Sequence, residues 1–137
     1  MVQRVSLVPL QWLKAHEEFV EERVLQVLDN FRRTGVVDYA VVADVATGTV
    51  IDGHHRLEAL RRLGALLVPA YLVDYRDAAI AVRGWREGED VPTKEDVLRH
   101  AAEGKLYPPK TTRHDFVRVM DPVDVPLAAL VDERIVR

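Results

Sequence analysis

The junction Asp52-Gly53-His54-His55-Arg56 constrains this chain more than any other stretch. A short apolar strand pattern at residues 49–51 leads into it, and an amphipathic helix pattern at residues 57–63 leads out. A glycine turn feeding a helix start leaves backbone N–H groups unpaired at the positive end of the helix dipole. Such a turn suits an anion, above all phosphate. Arg56 adds a planar, bidentate donor. Asp52 adds a carboxylate able to hold a cation or a hydroxyl. The expectation is a phosphate-handling site, with a nucleotide as the ligand class.

The flanking patterns set the fold class. Residues 2–10 read as an edge strand ending at Pro9. Val20, Val24, Val27, Leu28 and Phe31 form the apolar stripe of a helix, and Gly35 lies just past its end as a left-handed cap. Residues 39–45 read as a buried strand, Thr47-Gly48 as a hairpin turn, and residues 49–51 as the returning strand. The helix at 57–63 closes at Gly64, and residues 66–75 form the next strand. Farther on, Thr93-Lys94-Glu95-Asp96 resembles a capping box for a helix at 94–103, with Pro92 before it and Gly104 after it. Residues 105–114 read as a loop carrying Pro108-Pro109, followed by strand candidates at 116–120 and 123–127.

Strands and helices alternating along 137 residues predict a single domain, residues 1–137, of α+β class: a small mixed β-sheet packed with helices. Val8-Pro9-Leu10-Gln11-Trp12-Leu13 echoes Val125-Pro126-Leu127-Ala128-Ala129-Leu130. Six residues do not make a repeat architecture, and the echo reads as two similar strand-to-helix junctions.

Composition narrows the chemistry. The chain has no cysteine, which excludes disulfides, thiolate metal sites and cysteine catalysis. The formal charge of −3 gives no bulk attraction to nucleic acid. No apolar run approaches the roughly 20 residues of a membrane span, and the first residues lack an export pattern. The expected location is the cytoplasm, with no membrane partner.

Four clusters carry chemistry. His54 and His55 are adjacent, so on a helix start their side chains diverge by about 100° and do not share one metal. One histidine is expected to face a phosphate or substrate and the other to lock the turn. His16-Glu17-Glu18 precedes the first helix, where carboxylates complement the dipole or one of them serves as general base. The pattern does not choose between Glu17 and Glu18. Lys110-Thr111-Thr112-Arg113-His114 follows two prolines and is suited to phosphate or carboxylate. Trp85 lies in a polar stretch, Arg83-Gly84-Trp85-Arg86, as a hydrophobic plug or a pocket wall.

Residues 52–63, DGHHRLEALRRL, resemble the phosphate-binding box of the ParB/sulfiredoxin superfamily, and the double histidine is the variant of its free serine kinases. The resemblance extends to His16-Glu17, to Pro69-Ala70-Tyr71-Leu72-Val73-Asp74-Tyr75, to Trp85 and to residues 104–114, GKLYPPKTTRH. It implies a ParB/sulfiredoxin-like fold and transfer of a phosphoryl group to free L-serine, giving O-phospho-L-serine. ADP or ATP would be the donor and Mg²⁺ the cofactor, with the choice of nucleotide open. By the same likeness Glu17 and Asp52 are catalytic, with Asp52 near the metal-bound phosphates. Gly53, His54, His55, Arg56 and Lys110 would hold the nucleotide phosphates, and Trp85, Thr112, Arg113 and His114 the serine.

Two rivals are weighed. A sulfiredoxin-like repair activity needs a cysteine in the phosphate box, where this chain has histidine. A ParB-like DNA clamp, or a regulatory nucleotide-binding protein, would use the same box without kinase chemistry. A clamp needs a helix-turn-helix, and beyond Tyr75 the pattern offers one short helix; DNA is therefore not the expected partner.

Overall fold

The computed structural model describes residues 5–85, 88, 90–116 and 121–131. Four strands form the central mixed sheet: β1 (Val5–Pro9), β3 (Val41–Asp44), β4 (Val50–Asp52) and β5 (Leu67–Val73), in the order β1-β5-β3-β4. β1 runs antiparallel to β5, β3 parallel to β5, and β4 antiparallel to β3. All four residues of β3 and the first five of β5 are buried, as expected of strands covered on both faces.

Two helices supply much of that cover. α1 (Glu21–Thr34) and α2 (His54–Arg62) bury Val24, Leu28 and Phe31 with Leu57 and Leu60 in the main apolar cluster. Arg62 reaches across with both terminal nitrogens to the Glu21 carboxylate. The β3–β4 turn is fixed by Asp44, fully buried, whose carboxylate accepts from the Thr47 hydroxyl at 2.7 Å and the Tyr75 amide at 3.1 Å. Gly48 is required in this turn, because a Cβ there would lie 2.4 Å from the Trp12 carbonyl.

Two small ribbons complete the described chain. β2 (Val36–Val37) pairs with β8 (Val125–Pro126), which runs into α4 (Leu127–Val131). β6 (Ile80–Arg83) pairs antiparallel with β7 (Arg113–Phe116). α3 (Lys94–Glu103) packs Val97 against Tyr75, Ile80 and Ile51. Its capping box is present, Thr93 bonding Asp96 reciprocally, and Gly104 closes it.

An extended segment sets up the site. Lys14 forms a parallel bridge with Thr49 on the outer edge of β4, and Glu17 a parallel bridge with Tyr107. Residues 14–18 therefore lie between β4 and the loop after α3, clamped by backbone hydrogen bonds at 2.8–2.9 Å on both sides.

The architecture is the expected α+β arrangement, and the differences are local. α2 begins at His54, not at residue 57, because Gly53 turns the chain directly out of β4 with φ of +101°. Residues 80–83 form β6, where the sequence pattern assigned no element to 80–82 and placed Arg83 in the polar stretch around Trp85. Arg113 and His114, expected in the preceding loop, are strand residues, since pairing with Arg83 and Val82 outweighs their weak β propensity. Of the strand expected at 116–120 only Phe116 is described, at the end of β7, and 117–120 lie outside the described residues. The strand expected at 123–127 shrinks to Val125–Pro126 and gives way to α4. The echo between residues 8–13 and 125–130 proves to be two strand-to-helix junctions, a 3₁₀ turn at Leu10–Trp12 after β1 and α4 after β8. Residues 2–4 of the first predicted strand, and Arg86 beside Trp85, also lie outside the described residues. No helix among the described residues is long and apolar enough to cross a membrane.

Candidate functional site

The turn from β4 into α2 opens on a cleft of about 290 Å³. Gly53 caps α2 without a side-chain partner, so the N–H groups of His54, His55 and Arg56 face the helix N-terminus with no acceptor in the described chain; Leu57 is the first to bond back, to the Gly53 carbonyl. A Cβ at residue 53 would come within 2.9 Å of the Val41 side chain and 3.2 Å of its Cα. Strand β3 thus sits directly against the turn and holds it. Gly53→Ala is expected to destabilise the chain by about 1–3 kcal/mol through backbone strain and this contact. A urea midpoint equal to that of the parent would contradict this packing.

The two histidines of the turn act on the opposite wall. His54 Nε2 accepts the backbone N–H of His16 at 3.3 Å, and His55 Nε2 accepts that of Val20 at 3.1 Å. Both rings therefore tether residues 16–20 to the start of α2. With Nε2 as acceptor, the neutral ring carries its proton on Nδ1. Burial holds both below the ordinary histidine range, His54 strongly so, with the neighbouring histidines adding to its shift and Arg23 adding to that of His55.

His16 is fully buried and joins three elements. Its Nδ1–H donates to the Val50 carbonyl at 2.8 Å, and its Nε2 accepts from the Thr112 hydroxyl at 3.0 Å. A carbonyl only accepts, so this pair fixes the tautomer. Desolvation lowers the His16 pKa to about 4. His114 stands 5.7 Å away, edge to face; its Nε2 accepts from the Tyr75 hydroxyl at 2.7 Å, and its ring also bonds the Ile51 carbonyl. Burial, then the nearby His16, lowers its pKa to about 3.

Glu17 follows on the same extended segment. Its Oε1 accepts two successive amides, Thr111 N–H at 2.5 Å and Thr112 N–H at 3.2 Å. Lys110, immediately before them, adopts φ of +62°, which only a few per cent of non-glycine residues do. That left-handed turn aims both amides at one carboxylate oxygen. Oε2 has no partner among the described residues. Desolvation raises the Glu17 pKa, and the two amide bonds only partly offset it. Glu18 is exposed, and its amide bonds the Tyr107 carbonyl.

Trp85 stands at the mouth, 50% exposed, with its indole N–H donating to the Thr112 carbonyl at 3.1 Å and the Arg113 guanidinium 5.4 Å above its ring. Of the residues singled out from sequence, Asp52, Gly53, His54 and His55 line the cleft at the turn into α2, and Glu17, Glu18, Trp85, Lys110, Thr112, Arg113 and His114 complete its lining. The Arg56 side chain is not brought in; its guanidinium lies over the Tyr39 ring, at 5.4 Å. Arg23 also lines the cleft and was missed, since on the polar face of a helical stripe it reads as a surface charge. Among the described residues no group of three or more His, Asp or Glu side chains is placed to hold a metal ion.

No family model matches the chain. An ATP-dependent L-serine kinase of Staphylothermus marinus is 31% identical over 122 aligned residues, covering 72% of this chain and 48% of that protein. An ADP-dependent L-serine kinase of Thermococcus kodakarensis is 26% identical over 101, covering 71% and 42%. The chain thus spans about half the length of the curated relatives it matches. Among solved structures, a free serine kinase variant in complex with AMP superimposes with a TM-score of 0.84 at 18% identity, over 93% of this chain and 94% of that one. The fold of this chain is the fold of that free serine kinase.

Proposed function

We propose that this protein is a phosphotransferase that converts free L-serine to O-phospho-L-serine with ADP or ATP as donor. The observation that carries the reading is the pairing of a half-buried carboxylate, Glu17, with the unpartnered amides of α2 across one cleft. Phosphoryl transfer needs an acceptor held in line, a group to take its proton, and positive charge around the phosphates. The amides of His54, His55 and Arg56 supply fixed donors at a dipole terminus. The Nδ1–H groups of His54 and His55 add neutral donors on the same rim. Lys110 adds charge from the facing loop.

On this reading the free Oε2 of Glu17 takes the serine hydroxyl proton while Oε1 stays anchored to the loop. A raised pKa suits that task, because the carboxylate then holds the proton more firmly. Glu18, exposed and without such anchoring, is the weaker choice. Arg113, stacked on Trp85, matches the serine carboxylate, with Thr112 and His114 beside it. Asp52 is the carboxylate next to the α2 N-terminus. One carboxylate with phosphates and waters is a donor set that fits Mg²⁺, which would neutralise phosphate charge when bound. The ParB-like DNA reading gains no support: after β5 the described helices are α3 and the five-residue α4, with two strands between them.

The test is direct. Purified protein with L-serine, Mg²⁺ and ADP or ATP should give O-phosphoserine by mass spectrometry. Absence of product with both nucleotides rejects the reading. The two relatives differ in nucleotide, so the same assay decides the donor for this chain.

A further inference from the structure

Arg23 is a cation of the cleft with no role in the scheme above. It is the third residue of α1, and its side chain lines the same cavity as the start of α2. A cation in the first turn opposes the helix dipole, an arrangement unfavourable by about 0.3–1 kcal/mol. Glu21 and Glu22 share that turn, but Arg23 makes no ion pair among the described residues, and Glu21 is engaged by Arg62. A guanidinium left without an ion pair and facing a cleft whose opposite wall is a helix N-terminus is the arrangement for an anion supplied from outside.

The order of contacts gives its place. His54 is bonded to the amide of His16, next to Glu17, whereas His55 is bonded to the amide of Val20, toward Arg23. The Arg23 charge also bears on His55. Arg23 therefore stands on the His55 flank of the α2 amides, and Glu17 with the Lys110–Thr112 turn on the His54 flank. A phosphate chain lying across those amides with its transferred end toward Glu17 presents its other phosphate to Arg23.

We propose that Arg23 grips the phosphate that remains on the nucleotide and stabilises the charge that collects there during transfer. In that step the bond between the transferred phosphorus and the bridging oxygen breaks, and its electron pair stays on the bridging oxygen. The serine hydroxyl oxygen forms the new bond to phosphorus, and its proton passes to Glu17. The assignment rests on the phosphotransfer reading, and the experiment separates the two.

Calorimetric binding of AMP and ADP and steady-state kinetics with L-serine are measured for the parent, Arg23→Ala and Arg23→Lys. Arg23→Ala should weaken the product nucleotide, AMP where ADP is the donor and ADP where ATP is, about tenfold or more and lower kcat by a similar factor, with the serine KM within about twofold. Arg23→Lys should recover part of the affinity and little of kcat, since an ammonium is a point charge and not a bidentate fork. The melting temperature of Arg23→Ala should equal or exceed that of the parent, because a charge opposing the dipole has gone; a purely structural role would lower it. Unchanged nucleotide affinity and kcat in Arg23→Ala would overturn the assignment alone. So would a loss confined to the serine KM, which would put Arg23 on the acceptor. A parent protein that binds neither nucleotide would overturn the phosphotransfer reading itself.

Discussion

Glu17→Gln is expected to lower kcat by about 10²–10⁴-fold, the range of a positioned general base, and to change nucleotide affinity by less than about twofold. The separation follows from what each carboxylate oxygen does. Oε1 accepts the amides of Thr111 and Thr112, and a glutamine keeps an oxygen able to accept both. The loop bearing Lys110 and Thr112, and Arg113 at the start of β7, then stay in place, and the variant loses only the ability to take a proton. Glu17→Ala removes the anchor as well and should raise the serine KM in addition. Burial lifts the Glu17 pKa above the ordinary carboxylate value, so the acid limb of the rate profile should lie above that of an exposed glutamate and vanish in Glu17→Gln. Glu18→Gln should retain near-parental turnover. Full activity in Glu17→Gln, with loss in Glu18→Gln, would move the base by one residue.

Elements set by local chemistry were legible before the structure. The Thr93–Asp96 capping box and the Gly104 cap bound α3 as read, because both ends are fixed within a few residues. The apolar stripe from Val20 to Phe31 located α1 for the same reason, and Thr47-Gly48 located the hairpin. The ribbon of β6 and β7 escaped because its partners lie 30 to 36 residues apart and the sequence Arg113-His114-Asp115 has no strand signature of its own. At the candidate site, the amide cradle of residues 53–56 was legible from one glycine between a strand and a helix. The side chains beside it were not. His54 and His55 spend Nε2 on the amides of residues 16 and 20, a contact across more than 30 residues that no spacing encodes. Arg56 turns to Tyr39, and Arg23 arrives from a helix where nothing marks it. Local rules place the unpaired amides of the turn, and tertiary contacts choose which charges surround them.

Those same tertiary contacts make the fold acid-labile, and the thermal midpoint is expected to fall by about 10–20 °C between pH 7 and pH 4. His16 and His114 titrate near 4 and 3 in the folded chain, against about 6.5 when unfolded. Between those values the unfolded chain binds more protons than the native one, so stability rises with pH across the window. It is complete above about 6.5 and is lost as the pH falls toward 4. For His16 alone the loss by pH 4 is about 3 kcal/mol, at 1.36 kcal/mol per pKa unit, and His114 adds a loss of the same order. The cause is geometric. Protonating His16 at Nε2 sets a new N–H against the hydroxyl that donates to it, and charges a ring with no solvent exposure, 4.6 Å from His54 and 5.7 Å from His114. His16→Gln keeps a donor and an acceptor at that place and removes the titrating group. Its midpoint should be lower at pH 7 through lost packing, yet decline by less toward pH 4. A parent profile flat from pH 7 to pH 4, or one as steep in His16→Gln, would show that these histidines are not the protons that fold this site.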